Sequence, residues 1–235
     1  MRFPRCAPGE PKQAVLLNTA GGLTGGDHLD FGIRIGAQAQ ATVTTAAAEK
    51  IYRARDGETE IDIQIEVAEG AQLAWLPQAT ILFDRARFVR RLEVELAQDA
   101  SFLAVETLVF GRSAMGETVR TGYCRDAWRI RRAGRLVFGD TFLADGPIAR
   151  ILEHAATLAG ARATATIVYV APDAEARIDE ARTALADTAG AGGVSAWNGM
   201  LFARVAAADS QILGKDIRCL AEMLSGRPLP RLWHC

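Results

Sequence analysis

No apolar run in this chain approaches the roughly 20 residues a membrane-spanning helix needs. The opening Met1-Arg2-Phe3-Pro4-Arg5 has no apolar core of the kind found in a secretory signal. Cysteine is sparse: Cys6, Cys124, Cys219 and Cys235 are scattered, with no C-x-x-C pair. In a chain without a signal they read as reduced cytosolic thiols, not a disulfide frame. Histidine is sparser. His28, His154 and His234 lie far apart, so no histidine cluster is available for tight metal storage. His234-Cys235 offers two ligands on a chain end, and reads first as a frayed tail. Neither sign of charge prevails: 27 Lys and Arg against 28 Asp and Glu leave a net charge of −1. Nothing in that balance favours nucleic acid or an anionic membrane as a partner. Ser113 is in no G-x-S-x-G elbow and has no histidine beside it, and no other nucleophile-base arrangement is visible.

What is present is ordinary globular composition, 49% hydrophobic and 23% charged over 235 residues. The reading is a single domain over 1–235. Its most informative stretch is Leu17-Asn18-Thr19-Ala20-Gly21-Gly22-Leu23-Thr24-Gly25-Gly26-Asp27, after the strand-like run Ala14 to Leu17. Paired glycines suggest a phosphate cradle. But no Gly-Lys-Ser/Thr follows and the glycines do not fall as G-x-G-x-x-G, so a sharp strand-to-strand corner is the better expectation.

The first two-thirds reads as strands. Ile61 to Val67 alternates apolar and polar without a slip, the mark of one buried and one wet face. Phe88 to Leu96 places Leu92, Val94 and Leu96 between Arg91, Glu93 and Glu95. Ser101 to Phe110 is apolar enough to be buried on both faces. Tyr123 to Ile130 and Arg135 to Phe138 flank the turn Arg132-Ala133-Gly134. A weak repeat links Gly36-Ala37-Gln38-Ala39-Gln40-Ala41, Gly70-Ala71-Gln72-Leu73-Ala74-Trp75 and Asp99-Ala100-Ser101-Phe102-Leu103-Ala104, spaced 34 and then 29 residues. That period suggests stacked strand-turn-strand layers.

The last third changes to helical spacing. Pro172 to Ala186 and Ser210 to Leu224 read as helices, the second closed by Gly226 and Pro228. Gly190-Ala191-Gly192-Gly193 reads as a flexible turn and Leu201 to Ala206 as a strand. The expected class is mainly β, with layered, β-solenoid-like strands and two α-helices in the C-terminal third.

Chemistry rests on carboxylates at strand and turn ends: Asp27, Glu49, Asp84, Glu106, Glu117 and Asp140. Glu106 lies inside an apolar run, and a buried carboxylate costs several kcal/mol unless paired or solvated. A structural partner such as Arg112 or Arg125 is as good an expectation as a functional role. Lys50 and Arg53 could bind an anion, or form a solvated basic turn. Two readings unconnected with any family stay open: a carboxylate-pair hydrolase and a β-rich binding module.

Five segments in order resemble one family: L-N-T-A-G-G-L-T-G-G-D (17–27), T-T-A-A-A-E-K-I-Y-R (44–53), W-L-P-Q-A-T-I-L-F-D (75–84), F-G-R-S-A-M-G-E (110–117) and L-P-R-L-W (229–233). The chain is similar to the urease accessory protein UreD, also called UreH, from about residue 14 onward. The resemblance implies a largely β fold and a non-enzymatic scaffold in the cytoplasm, with no nucleic-acid or membrane partner. The implied partners are apo-urease, a UreF-type accessory protein and, through it, a UreG-type GTPase. No tightly bound cofactor is implied, only Ni²⁺ in transit along an internal passage. Asp27, Glu106, Glu117 and Asp140 are then the candidates to line that path, with Asp27 and Glu106 as weak, transient ligands. Glu49 is a further candidate, at a position where the family often carries a small polar residue. Gly21, Gly22, Gly25, Gly26, Lys50 and Arg53 are candidates for partner binding. Family members usually carry a lead-in of some tens of residues before the glycine-rich loop, and Met1 falls near its end: either the start is placed too late or those strands are absent, in which case an unpaired sheet edge is expected.

Overall fold

A computed structural model describes residues 1–112, 115–186 and 188–234. The chain winds as a parallel two-sheet stack. After β1 (Lys12–Leu16), one full coil comprises β2 (His28–Ile35), β3 (Gln40–Thr45) and β4 (Glu49–Ile51). The next comprises β5 (Thr59–Val67), β6 (Gln72–Leu76) and β7 (Thr80–Leu82), and the third β8 (Arg87–Leu96) and β9 (Ser101–Phe110). Each strand lies parallel to its counterpart one coil earlier: β2 with β5, β3 with β6, β4 with β7, β5 with β8. β9 is long enough to pair with both β6 and β7.

β10 (Gly122–Arg132) adds to β8 in parallel, then turns back on itself as β11 (Arg135–Gly146). The turn residues Ala133 and Gly134 both have positive φ, 49° and 75°, which suits a two-residue hairpin. After α1 (Ile148–Glu153), the strand β12 (Ala163–Val170) pairs antiparallel with β9. Then come α2 (Ile178–Ala186), β13 (Ala191–Trp197), β14 (Met200–Ala207) and α3 (Ser210–Ser225). One sheet runs β1-β3-β6-β9-β12-β14-β13, with β4 and β7 attached, and the other runs β11-β10-β8-β5-β2.

The larger sheet is the middle of three layers. On β9, Phe102, Ala104, Leu108 and Phe110 face the smaller sheet, while Leu103, Val105 and Val109 face the helices. This is the two-sided burial expected of Ser101 to Phe110. α3 presents Leu213, Ile217, Leu220 and Leu224 to the same sheet. Asp209 caps it, accepting from the amides of Gln211 and Ile212 at 2.8 and 2.9 Å, and Gly226 closes it at φ 66°.

Several expectations need correction. The first repeat unit is out of register by two: Gln40 lies beside Gln72, so Gln38 and not Gly36 is the counterpart of Gly70. A slip of two keeps every side chain on its own face, so alternation cannot detect it. Ala191 to Trp197 is an edge strand bonded to β14, not a flexible turn. The ladder supplies the backbone partners that a glycine-rich segment lacks on its own. β12 escaped the period-two reading because it is buried along nearly its whole length. The chain end is not frayed as far as His234. Trp233 is buried and donates its indole N–H to the Leu76 carbonyl at 3.1 Å. Cys235 lies outside the described residues.

The larger sheet reaches one strand further than the smaller one. β1 pairs with β3, but among the described residues no strand pairs with the outer edge of β2. Between β1 and β2 opens a cavity of about 1020 Å³, lined by Leu29, Phe31, Ile33 and Ile35 on one side and Ala14 and Leu16 on the other.

Candidate functional site

The glycine-rich loop is a packing corner. Leu23 forms a parallel bridge with Ile51, accepting from the Tyr52 amide and donating to the Lys50 carbonyl, both at 2.7 Å. The Tyr52 hydroxyl donates to the Gly21 carbonyl at 2.8 Å. A Cβ on Gly22 would stand 2.6 Å from the Lys50 carbonyl oxygen, and one on Gly25 would stand 2.2 Å from that of Asp56. Only glycine permits such an approach. Gly26 turns the chain at φ 90°, and the exposed Asp27 accepts from the Thr24 amide at 2.8 Å. Its carboxylate is spent on its own turn.

Glu106 is placed differently. It is buried at the centre of β9, and it accepts from the Trp75 indole at 2.7 Å and from Arg90. Its partner is neither Arg112 nor Arg125. Arg90, on β8, also grips Asp126 of β10 with two bonds of 2.9 and 2.7 Å, and reaches the Thr80 hydroxyl at 3.3 Å. Trp128 adds an indole bond to Asp126 at 3.2 Å. One guanidinium thus joins two carboxylates across the two sheets. Burial pushes the Glu106 carboxyl up to about 7, against the pull of Arg90, with Asp126 adding to the rise. Arg90 is held firmly charged by Asp126 and Glu106 despite its burial. Burial also holds the neighbouring Cys124 thiol well above its ordinary range, so it stays a thiol and not a metal-binding thiolate.

The remaining candidates are dispersed. Glu117 pairs with Arg112 at 2.7 Å. Asp140, on β11, pairs with Arg204 of β14 at 2.5 Å. Asp84 accepts from the amides of Arg120 and Thr121 at 2.7 and 3.1 Å, fixing the entry to β10. Glu49 accepts both bonds of 3.1 Å from Asn18 and lines the large cavity beside Lys50. Arg53 contributes its backbone, through a bridge to Ala86 and a carbonyl that accepts from Thr24. The lining of the large cavity includes neither Asp27 nor Glu106.

A family model described as UreD urease accessory protein matches residues 1–234. The chain belongs to the UreD family. Similar curated relatives include the urease accessory protein UreD of Azorhizobium caulinodans, 48% identical over 99% of this chain and 86% of that protein. That of Methylobacterium sp. strain 4-46 is 49% identical over 100% and 84%, and that of Rhodopseudomonas palustris strain CGA009 is 48% identical over 99% and 83%.

In this UreD chain the five recognised segments serve mainly as anchors. The segment 75–84 supplies Trp75 and Thr80 to the interior network and Asp84 to the β10 entry. The segment 229–233 docks Trp233 on the end of β6, where Gln78 also bonds the Leu232 carbonyl at 3.2 Å. Ser113 and Ala114, in the segment 110–117, lie outside the described residues. Sequence reasoning missed Arg90 and Asp126. The available signal was parity: Arg90 falls in step with Phe88, Leu92 and Val94, and Asp126 with Cys124 and Trp128, all on inward positions. A charge in step with core residues is buried and in need of a partner.

Proposed function

We propose that this chain is a non-catalytic accessory protein of urease maturation. It scaffolds a UreF-type protein, and through it a UreG-type GTPase, on apo-urease in the cytoplasm, and helps deliver Ni²⁺ to the di-nickel site. The observation that carries this reading is the family match across residues 1–234. The chemistry of the interior supports it. The interior carboxylates Glu106 and Asp126 are buried and share one arginine, whereas a carboxylate-pair hydrolase needs its two groups across an open cleft. No helix among the described residues is long and apolar enough to cross a membrane.

Nickel transit is the finer part of the proposal. Of the candidate ligands, Glu106 is the interior one and Glu49 stands at the large cavity, while Asp27, Glu117 and Asp140 are engaged nearer the surface by the Thr24 amide, Arg112 and Arg204. A conduit wants sparse oxygen ligands that release as readily as they bind. Co-expressing the urease genes with and without this chain tests the reading. Loss of nickel content and activity in urease purified without it is expected, together with co-purification of the UreF-type partner. Fully nickel-loaded urease in its absence defeats the proposal.

A further inference from the structure

The smaller sheet carries a second group of metal-ligating side chains on its outer, solvent-facing side. His28 and Asp30 stand two residues apart on β2 and are exposed on its outer side, whereas the intervening Leu29 packs against the core. Asp62 on β5 lies directly beside Asp30 in the parallel register. The His28 Nε2 atom is 2.9 Å from Asp62 Oδ2 and 3.5 Å from Asp30 Oδ1. One donor atom from each of the three residues lies within 4.8 Å of the other two. A first-row metal holds nitrogen and oxygen donors at about 2.0–2.2 Å, which sets adjacent donors roughly 3.0–3.5 Å apart. The 2.9 Å contact is now a hydrogen bond between His28 and Asp62, and it and the 3.5 Å contact match two edges of such a coordination shell.

We infer that His28, Asp30 and Asp62 form a surface site for a first-row divalent cation, with one imidazole and two carboxylate ligands and the remaining positions open to water. The donor set suits Ni²⁺, Zn²⁺ or Co²⁺ better than Ca²⁺ or Mg²⁺, which take oxygen alone. The local charge is favourable. Asp30, Asp62 and Glu60 bring three negative charges to the patch, and Arg91 returns one, bonding Glu60 at 2.7 Å and Asp62 at 3.0 Å. Arg91 also donates to both Asp62 oxygens, Oδ1 at 3.0 Å and Oδ2 at 3.2 Å, so it shares the oxygen that faces His28. Because Arg91 lowers the net negative charge and shares a ligand, the site binds loosely and exchanges its ion, in keeping with three ligands on an open surface. The metal site stands on geometry alone. That its ion is nickel on the way to urease rests on the function proposed above.

The test uses the full chain and NiCl₂ or ZnCl₂ at pH 7.5. Titration calorimetry should show one site of roughly micromolar to tens of micromolar affinity. His28→Ala and Asp30→Asn should each weaken it at least tenfold. Arg91→Gln should strengthen it several-fold, which a purely structural role for the cluster does not predict. Glu66→Gln, on the same outer face but outside the group, should leave it unchanged. In proton NMR, substoichiometric Ni²⁺ should broaden the His28 ring signals before those of His154 or His234. No binding, binding indifferent to His28→Ala and Asp30→Asn, or first broadening at another histidine overturns the site. The co-expression experiment is separate. Urease that loads nickel without this chain defeats the maturation role while leaving the calorimetric result standing.

Discussion

Arg90 holds two carboxylates out of water with one positive charge. Removing it by Arg90→Ala leaves both stranded. The expected loss is about 3–5 kcal/mol, the usual range for breaking a buried ion pair from one side. The triple replacement Arg90→Met, Glu106→Leu, Asp126→Leu should recover most of that, and urea denaturation of the three proteins decides it. The same trio carries a pH dependence. Glu106 ionises at about 7 in the fold against a reference of 4.5. Between those values the folded chain keeps a proton that the unfolded chain has released, so stability falls as pH rises through that window. The fall amounts to about 3 kcal/mol at most. Glu106→Gln cannot titrate, and its stability measured from pH 4.5 to 8 should be correspondingly flatter. A wild-type slope identical to that of the variant counts against burial as the governing cause. That Glu106 sits inside was legible in the sequence from its apolar run, whereas Arg90 and Asp126 were missed although both fall in step with apolar neighbours. Which charge meets which was not, since the three stand on strands whose pairing and facing follow from coil register.

At the scale of elements, period-two alternation located β5 and β8 within two residues, a continuous apolar run located β9, and three-four spacing located α3. The periodic signals are local, because one face of such an element is buried and the other wet. The signal fails where both faces are buried, as in β12, and where glycine removes the pattern, as in β13. The repeat found the second and third coils in true register, since Gly70-Ala71-Gln72 and Asp99-Ala100-Ser101 align as paired strands. The C-terminal turn around Trp233 holds its place through the indole bond to Leu76 and through Arg218, which donates to the Trp233 carbonyl at 2.9 Å. Trp233→Ala should cost about 3 kcal/mol, in line with large-to-small aromatic replacements in cores. It should also speed tryptic cleavage after Arg231 while leaving far-UV circular dichroism nearly unchanged. Unaltered cleavage shows that the turn is held by other contacts.

Over the whole molecule, the parallel coils place residues about 30 positions apart side by side, and this spacing builds both polar groups described above. Trp75 reaches Glu106, and His28 reaches Asp62, from adjacent coils. The sequence by itself determined the class: mainly β, layered, with helices late in the chain, and membership of a family whose motifs run in order. Burial demands apolar residues at fixed periods, and periods survive in one dimension. Only the tertiary structure decided that Asp27 is held by its own turn while Glu106 lies buried between the sheets, that one arginine serves two carboxylates, and that a histidine and two aspartates share a patch of surface. Those outcomes depend on coil register and sheet facing. Both are set by packing over the whole stack, and neither leaves a mark on the local order of residues.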